Sequence, residues 1–387
     1  MAGKNPLPPL HANCFVWYNH TMSYGAVTTE NPLERLPAPL LAWYRTHARD
    51  LPWRRTANPY RIWVSEIMLQ QTRVAAVLGY YARFLEAFPT VEVLAAAPEE
   101  RLLKLWEGLG YYSRARNLQR AARLIVERGG FPDTYEGLLA LPGVGEYTAG
   151  AIASAAFGLR EAAVDGNVLR VAARLCDCRD DILDARTKRA VQARVRATMP
   201  TAAEEIRIFN QAVMELGATV CIPNGPPKCG GCPARQFCLG HIRGTAESLP
   251  VRAAKKARRR EEKTVFVLLR DGKTALRKRS GQGLLAGLWE FPNVEGTLDE
   301  AAAPAAVAAW GLEPGAWQNR LAAKHIFTHV EWHMTGYTLE VAGEGPADFL
   351  WADRAGLDRC AVPSAFARYY AEAAERLEVS LDDKGGA

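Results

Sequence analysis

The chain is 387 residues long, enough for two or three domains with separate hydrophobic cores. Apolar residues make up 49% and charged residues 23%, which excludes a disordered chain, and the net charge of +6 admits a polyanionic partner. No apolar run approaches the ~20 residues of a membrane-spanning helix, so no membrane partner is expected.

Residues 1–36 lack periodic pattern, and no acid precedes Glu30. Neither an Arg-rich presequence nor a secretory apolar region is visible. The segment is expected to be a flexible extension, or an overlong start with Met22 as the initiator. From Pro37 the chain reads as helix after helix. Ile62 to Phe88 carries apolar residues at helical spacing, and within WVSEIMLQQT, Glu66, Leu69 and Gln70 fall on one face. The plain reading of Glu66 is a surface glutamate. On a half-apolar face, however, its pKa would rise toward that of a general acid, while Gln70 and Gln71 could offer amide edges to a base.

Trp106 to Asn117, WEGLGYYSRARN, joins Tyr111 and Tyr112 to Arg114 and Arg116 after a Gly-Leu-Gly turn. Flat rings with cations suit a wedge or stacking platform for nucleic acid, although core packing with a solvated Arg face has the same composition. Leu141 to Gly145, with Gly143, Val144 and Gly145 at its centre, reads as a tight turn between helices. The following helix would begin with uncrowded, unpartnered N–H groups, a site for phosphate; an ordinary glycine-closed hairpin would look alike. Asp165-Gly166-Asn167 then sets a carboxylate at the mouth of the next helix, as N-cap or as an acid beside a sugar-phosphate backbone.

Four of the eight cysteines cluster as Cys221-x7-Cys229-x2-Cys232-x5-Cys238. Such thiolates can hold a [4Fe–4S] cluster or a structural zinc. Cys14, Cys176, Cys178 and Cys360 read as buried or incidental thiols. Residues 246–263 read as a linker, solvated and basic over Arg252 to Lys263. Strands are expected at Thr264–Leu269, Ala275–Arg279 and Trp332–Val341, and helices at Leu298–Trp310 and Ser364–Leu377, giving a separate α/β domain over 264–378 and a tail over 379–387.

The stretches LPWRR, SEIMLQQT, GLGYYSRARN, LPGVGEYTAG, VDGN and FNQAVMELGA, with the four cysteines, resemble the helix-hairpin-helix base-excision DNA glycosylases. GLLAGLWEFP and HIFTHVEWH are similar to the recognition domain of the A/G-specific adenine DNA glycosylases, the MutY family. The resemblance implies an all-α helix-hairpin-helix glycosylase over 37–245 with an iron–sulfur module, followed by an α/β Nudix-like domain. It implies a monomeric enzyme acting on double-stranded DNA with 8-oxoG:A or G:A mispairs, cytoplasmic and nucleoid-associated.

Residue by residue, the resemblance makes Glu66 the general acid toward adenine N7 and Asp165 the carboxylate under the oxocarbenium sugar. Tyr147 and Asn167 fall at catalytic-pocket positions. Trp53, Arg54, Leu69, Gln71 and Gln211 match the adenine pocket, and Tyr111 the wedge. Gln70, Tyr112, Arg114, Gly143, Val144 and Gly145 complete the implied DNA surface. Cys221, Cys229, Cys232 and Cys238 match the [4Fe–4S] ligands, one residue longer in the first spacing than is usual. Phe327-Thr328-His329 stands where the family has Phe-Ser-His and implies 8-oxoguanine recognition. In Pro304 to Leu312, alanines 305, 308 and 309 replace the metal-binding acids of a Nudix hydrolase, so binding without hydrolysis is expected.

Glu66 is expected to have a raised pKa and Asp165 a low one, held down by helix-mouth N–H groups. Two other readings compete. A glycosylase/lyase of the endonuclease III type needs an amine nucleophile, and its lysine position is Tyr147 here. A non-catalytic iron–sulfur DNA-binding protein would not need the Glu66/Asp165 pair. A chain ended after Arg260 is expected to remain a folded glycosylase with weakened preference for 8-oxoG:A.

Overall fold

The computed structural model describes residues 31–253 and 257–382. In chain order the helices are α1 (Pro37–His47), α2 (Pro59–Leu69), α3 (Val74–Ala87), α4 (Val91–Ala96), α5 (Glu99–Leu105), α6 (Ser113–Glu127), α7 (Tyr135–Leu139), α8 (Glu146–Phe157), α9 (Gly166–Leu175), α10 (Ala185–Thr198), α11 (Ala203–Thr219), α12 (Leu239–Ile242), α13 (Ala303–Ala308), α14 (Arg354–Arg359) and α15 (Ala367–Asp382). The strands are β1 (Arg259–Arg270), β2 (Lys273–Lys278), β3 (Trp289–Glu290), β4 (Asn293–Glu295), β5 (Glu313–Ile326), β6 (Val330–Ala342) and β7 (Phe349–Ala352).

The chain divides into two compact units: residues to 95 with 117–254, and 96–116 with 255–387. In the first, α9 and α11 pack with α1 around Leu40, Val171, Phe209 and Leu216. Leu33 and Leu36 are 2% and 1% exposed in that core, so the extension expected over 1–36 ends in packed chain; residues 1–30 lie outside the described residues. The helical pattern of 62–88 is interrupted. Gln71 has φ 59°, which separates α2 from α3 and turns Gln70 and Gln71 off the Glu66 face. Periodicity does not register a single left-handed residue between two apolar runs.

In the second unit the sheet order is β3-β2-β1-β6-β5, with β4 on β1 and β7 on β2, and β1 runs parallel to β6. Val265 and Val267 face one core with Phe366 and Tyr369, while Phe266 and Leu268 face the other with Val307 and Tyr337. A central strand covered on both faces reads as an unbroken apolar run. A Cβ on Gly336 would lie 2.1 Å from the Tyr369 ring, so α15 sits directly on the sheet.

Residues 259–263, expected in the linker, are strand. The charges pair along β1 (Arg259 with Glu261, Arg260 with Glu262) while the backbone pairs with β6, so a sequence without apolar period becomes part of the sheet. The helix expected over 298–310 shortens to α13. The tail expected from 379 stays helical to Asp382, and its remainder lies outside the described residues.

Residues 96–116 pack within this unit rather than among the helices around them in sequence. Lys104 Nζ donates to Cys360 O at 3.1 Å, and Val362 N donates to Glu107 Oε1 at 2.9 Å. Cys178 is disulfide-bonded rather than a free thiol.

Candidate active site

Asn58 caps α2 through Arg61 N at 3.1 Å and Pro59 sets its first turn, which fixes where Glu66 falls one turn before the end. Asp165 caps α9. Its Oδ1 accepts from Asn167 N at 2.9 Å and Val168 N at 2.8 Å, and its Oδ2 from Asn167 Nδ2 at 2.6 Å. Tyr147, on the first turn of α8, donates to Glu66 Oε2 at 2.8 Å. Glu66, Tyr147, Asp165 and Asn167 meet with Trp53, Arg54, Leu69 and Gln211 in a cleft of about 190 Å³. Gln71 is exposed and absent from that lining, and Gln70 turns to Thr148 Oγ1 at 3.3 Å.

Burial pushes the Glu66 carboxyl up to about 7, against the lowering hydrogen bond from Tyr147. Burial also raises Asp165, against the hydrogen bonds of its cap, contrary to the expectation that helix-mouth N–H groups hold it low. Desolvation outweighs them because the cap is enclosed.

Arg49 and Glu215 are cleft residues that the sequence reading missed. Glu215 is fully buried and accepts from Arg49 Nε at 2.7 Å, Arg49 Nη2 at 2.8 Å and Arg54 Nη2 at 2.7 Å. Burial pushes its carboxyl up, but the hydrogen bonds from both arginines hold it at about 2. Its signal was an acid inside the apolar run AVMELGA, one helical turn after Gln211.

The hairpin joins α7 to α8. Gly143 has φ 77°, and a Cβ there would lie 2.6 Å from Asn117 Cβ; Gly145 caps α8 with open space where its Cβ would stand. Val144 is buried and offers backbone alone. In GLGYYSRARN only Tyr111 presents its ring, 46% exposed with φ 47°. Tyr112 is buried, and Arg114 turns inward to Leu109 O at 2.9 Å and Gly110 O at 3.1 Å, so neither joins an outward DNA surface. Closing the loop's own carbonyls draws that guanidinium in. Tyr111 Oη lies 2.6 Å from Thr328 Oγ1, so the proposed wedge and the proposed reader adjoin.

Cys221, Cys229, Cys232 and Cys238 line one small cavity with Arg174. Arg174 Nη1 approaches Cys221 Sγ at 3.4 Å and donates to Ile222 O at 2.8 Å. One turn earlier, Arg170 donates to Cys221 O at 2.7 Å and Asn167 Oδ1 at 2.8 Å, so a hydrogen-bonded chain runs from the cysteine segment to Asp165. A Cβ on Gly240 would lie 2.5 Å from Arg174 O, which seats α12 against α9.

A family model described as HhH-GPD superfamily base excision DNA repair protein matches residues 64–197, and a NUDIX domain model matches 264–372. A thermostable thymine-DNA glycosylase of known structure is 29% identical, with a TM-score of 0.50 over 55% of this chain and 97% of that one. Fold and cleft therefore define a helix-hairpin-helix DNA glycosylase of base excision repair, followed by an α/β Nudix-like domain. The chain is 37% identical to the adenine DNA glycosylase of Rattus norvegicus, over 80% of this chain and 71% of the relative. It is 36% identical to that of Homo sapiens, over 79% and 67%. The chain belongs to the adenine DNA glycosylase family, and DNA is its substrate.

Proposed function

We propose that the protein is a monomeric, monofunctional glycosylase that removes adenine paired with 8-oxoguanine, or with guanine, after flipping it from the duplex. The observation that carries this reading is the Tyr147–Glu66 hydrogen bond of 2.8 Å in a cleft shared with Asp165. Tyr147, its own pKa pushed well up by burial, stays a donor and leaves Glu66 Oε1 to face the base. Glu66 gives its proton to adenine N7, and the C1′–N9 bond breaks with its electron pair leaving on neutral adenine. Asp165 offsets the positive charge on the sugar, and water completes the hydrolysis. The absence of a lysine at position 147 supports a monofunctional route.

The paired base is read by Phe327-Thr328-His329, where the Thr328 hydroxyl suits the N7–H and O8 edge of 8-oxoguanine. The Nudix-like domain binds without hydrolysing, because α13 carries alanines in place of metal-ligating acids. Cys221, Cys229, Cys232 and Cys238 suit a [4Fe–4S] cluster. The four residues line a common cavity, yet among the described residues no three His, Cys, Asp or Glu side chains are set to hold a single ion. A bound cluster would cross-link residues 221–238.

Single-turnover release of adenine from an 8-oxoG:A duplex tests the reading, with Glu66→Gln expected to bind the duplex and release nothing. Borohydride is expected to trap no protein–DNA adduct, and abundant trapping would make the enzyme a lyase. Anaerobically purified protein is expected to be brown; colourless protein with one equivalent of zinc would overturn the cluster assignment.

A further inference from the structure

We propose that Arg258 and the head of β1, from Arg259 to Lys263, position the Phe327–His329 tip for base reading, with the Arg258 side chain and the Arg259 amide as the positioning groups. The inference rests on the 8-oxoguanine reading above. The tip joins β5 to β6, and Phe327 N closes it on Val330 O at 2.8 Å. The carbonyls on either side of Thr328 are both taken by the same segment. Arg258 Nε donates to Phe327 O at 3.2 Å, and Arg259 N donates to His329 O at 3.0 Å.

Alternate residues of β1 hold what lies beneath. Phe327 sets its ring against Trp332 at 4.9 Å and 70°, and Trp332 is 2% exposed. Trp332 Nε1 donates to Glu261 Oε2 at 2.8 Å, and Lys263 Nζ lies 4.9 Å from the centre of the indole. Thr328 itself is exposed. The exposed reader is thus fixed through its neighbours' carbonyls and through a buried indole. Guanine and 8-oxoguanine differ at N7 and C8 alone, so a hydroxyl can separate them only if its backbone is held within a fraction of an ångström. Neither Arg258 nor Arg259 needs to touch the base for this.

The test uses the full-length protein and the ratio of single-turnover adenine release from 8-oxoG:A over G:A. Arg259→Pro removes the amide donor at the first residue of a strand, where proline is tolerated. Arg259→Ala loses the same charge but keeps that N–H. Arg258→Ala removes the other donor without changing the backbone, and release from G:A reports folding in every variant. Arg258→Ala and Arg259→Pro are each expected to lower the ratio by about threefold to tenfold, the range of one net hydrogen bond, and Arg259→Ala to stay within about twofold of wild type.

Thr328→Ala, measured in parallel, separates the two levels of argument. If it lowers the ratio while Arg258→Ala and Arg259→Pro do not, the tip positions itself and the proposal falls alone. A ratio unmoved by Thr328→Ala would remove the reader, and the proposal with it. An equal loss in Arg259→Ala and Arg259→Pro would assign the effect to a phosphate contact and overturn the positioning role.

Discussion

Glu66 holds its proton because its carboxyl is enclosed, and that has two consequences. As a general acid it must be protonated, so adenine release is expected to fall about tenfold per pH unit above about pH 7. Between the ordinary value of 4.5 and about 7 the folded chain keeps a proton that the unfolded chain gives up, so stability falls as pH rises through that window. Glu66→Gln removes this penalty. It is expected to exceed wild type by roughly 1–3 kcal/mol near pH 8 and to match it near pH 4, measured by urea unfolding. Equal stability at both pH values would mean that the carboxyl is solvated. Asp165 combines a cap with a charge, and substitution separates them. Asp165→Asn keeps a capping side chain and is expected to lose release by about 100-fold or more with little change in Tm. Asp165→Ala is expected to cost about 1 kcal/mol of stability as well.

At the scale of elements, the hairpin between α7 and α8 uses its two glycines differently. Gly143 is required by the fold, since its φ is positive and a Cβ would strike Asn117. Gly145 has φ −97° and open space, so the fold does not require it. What a side chain there would obstruct is the approach of a phosphate to the first amides of α8. Gly145→Ala is therefore expected to unfold with the wild type but bind duplex about tenfold more weakly by titration; Gly143→Ala is expected to lose roughly 1–3 kcal/mol of stability besides. Unchanged duplex affinity in Gly145→Ala would show that DNA does not approach this turn.

For the whole molecule, the division of the chain changes one expectation. Residues 96–116 rest on Cys360 and Val362, and β1 begins at Arg259, so ending the chain after Arg260 removes their support and leaves a strand of two residues. Such a chain is expected to retain its helical unit with lowered Tm and to become sensitive to protease within 96–116. Resistance of that segment to limited proteolysis would show that it folds without the sheet. Base preference is better measured in the full-length protein through Thr328.

The sequence by itself determined the elements whose signals are local. Pro59 and Asn58 begin a helix, Gly143 closes a turn, Asp165 caps, the cysteines cluster, and apolar runs mark the central strands. Chain chemistry at a spacing of a few residues carries each of these, and so Glu66 and Asp165 were legible, while Tyr147 was legible through the family resemblance alone. Tertiary structure decided what depends on distant partners. Glu215 became a cleft residue by meeting Arg49 and Arg54 across more than 150 positions, and RREEK became strand because β6 lies beside it. Enclosure, which no local pattern reports, raised Asp165 against its own cap and turned Arg114 inward. Burial is a property of everything packed around a group, and neighbours in sequence are a small part of that.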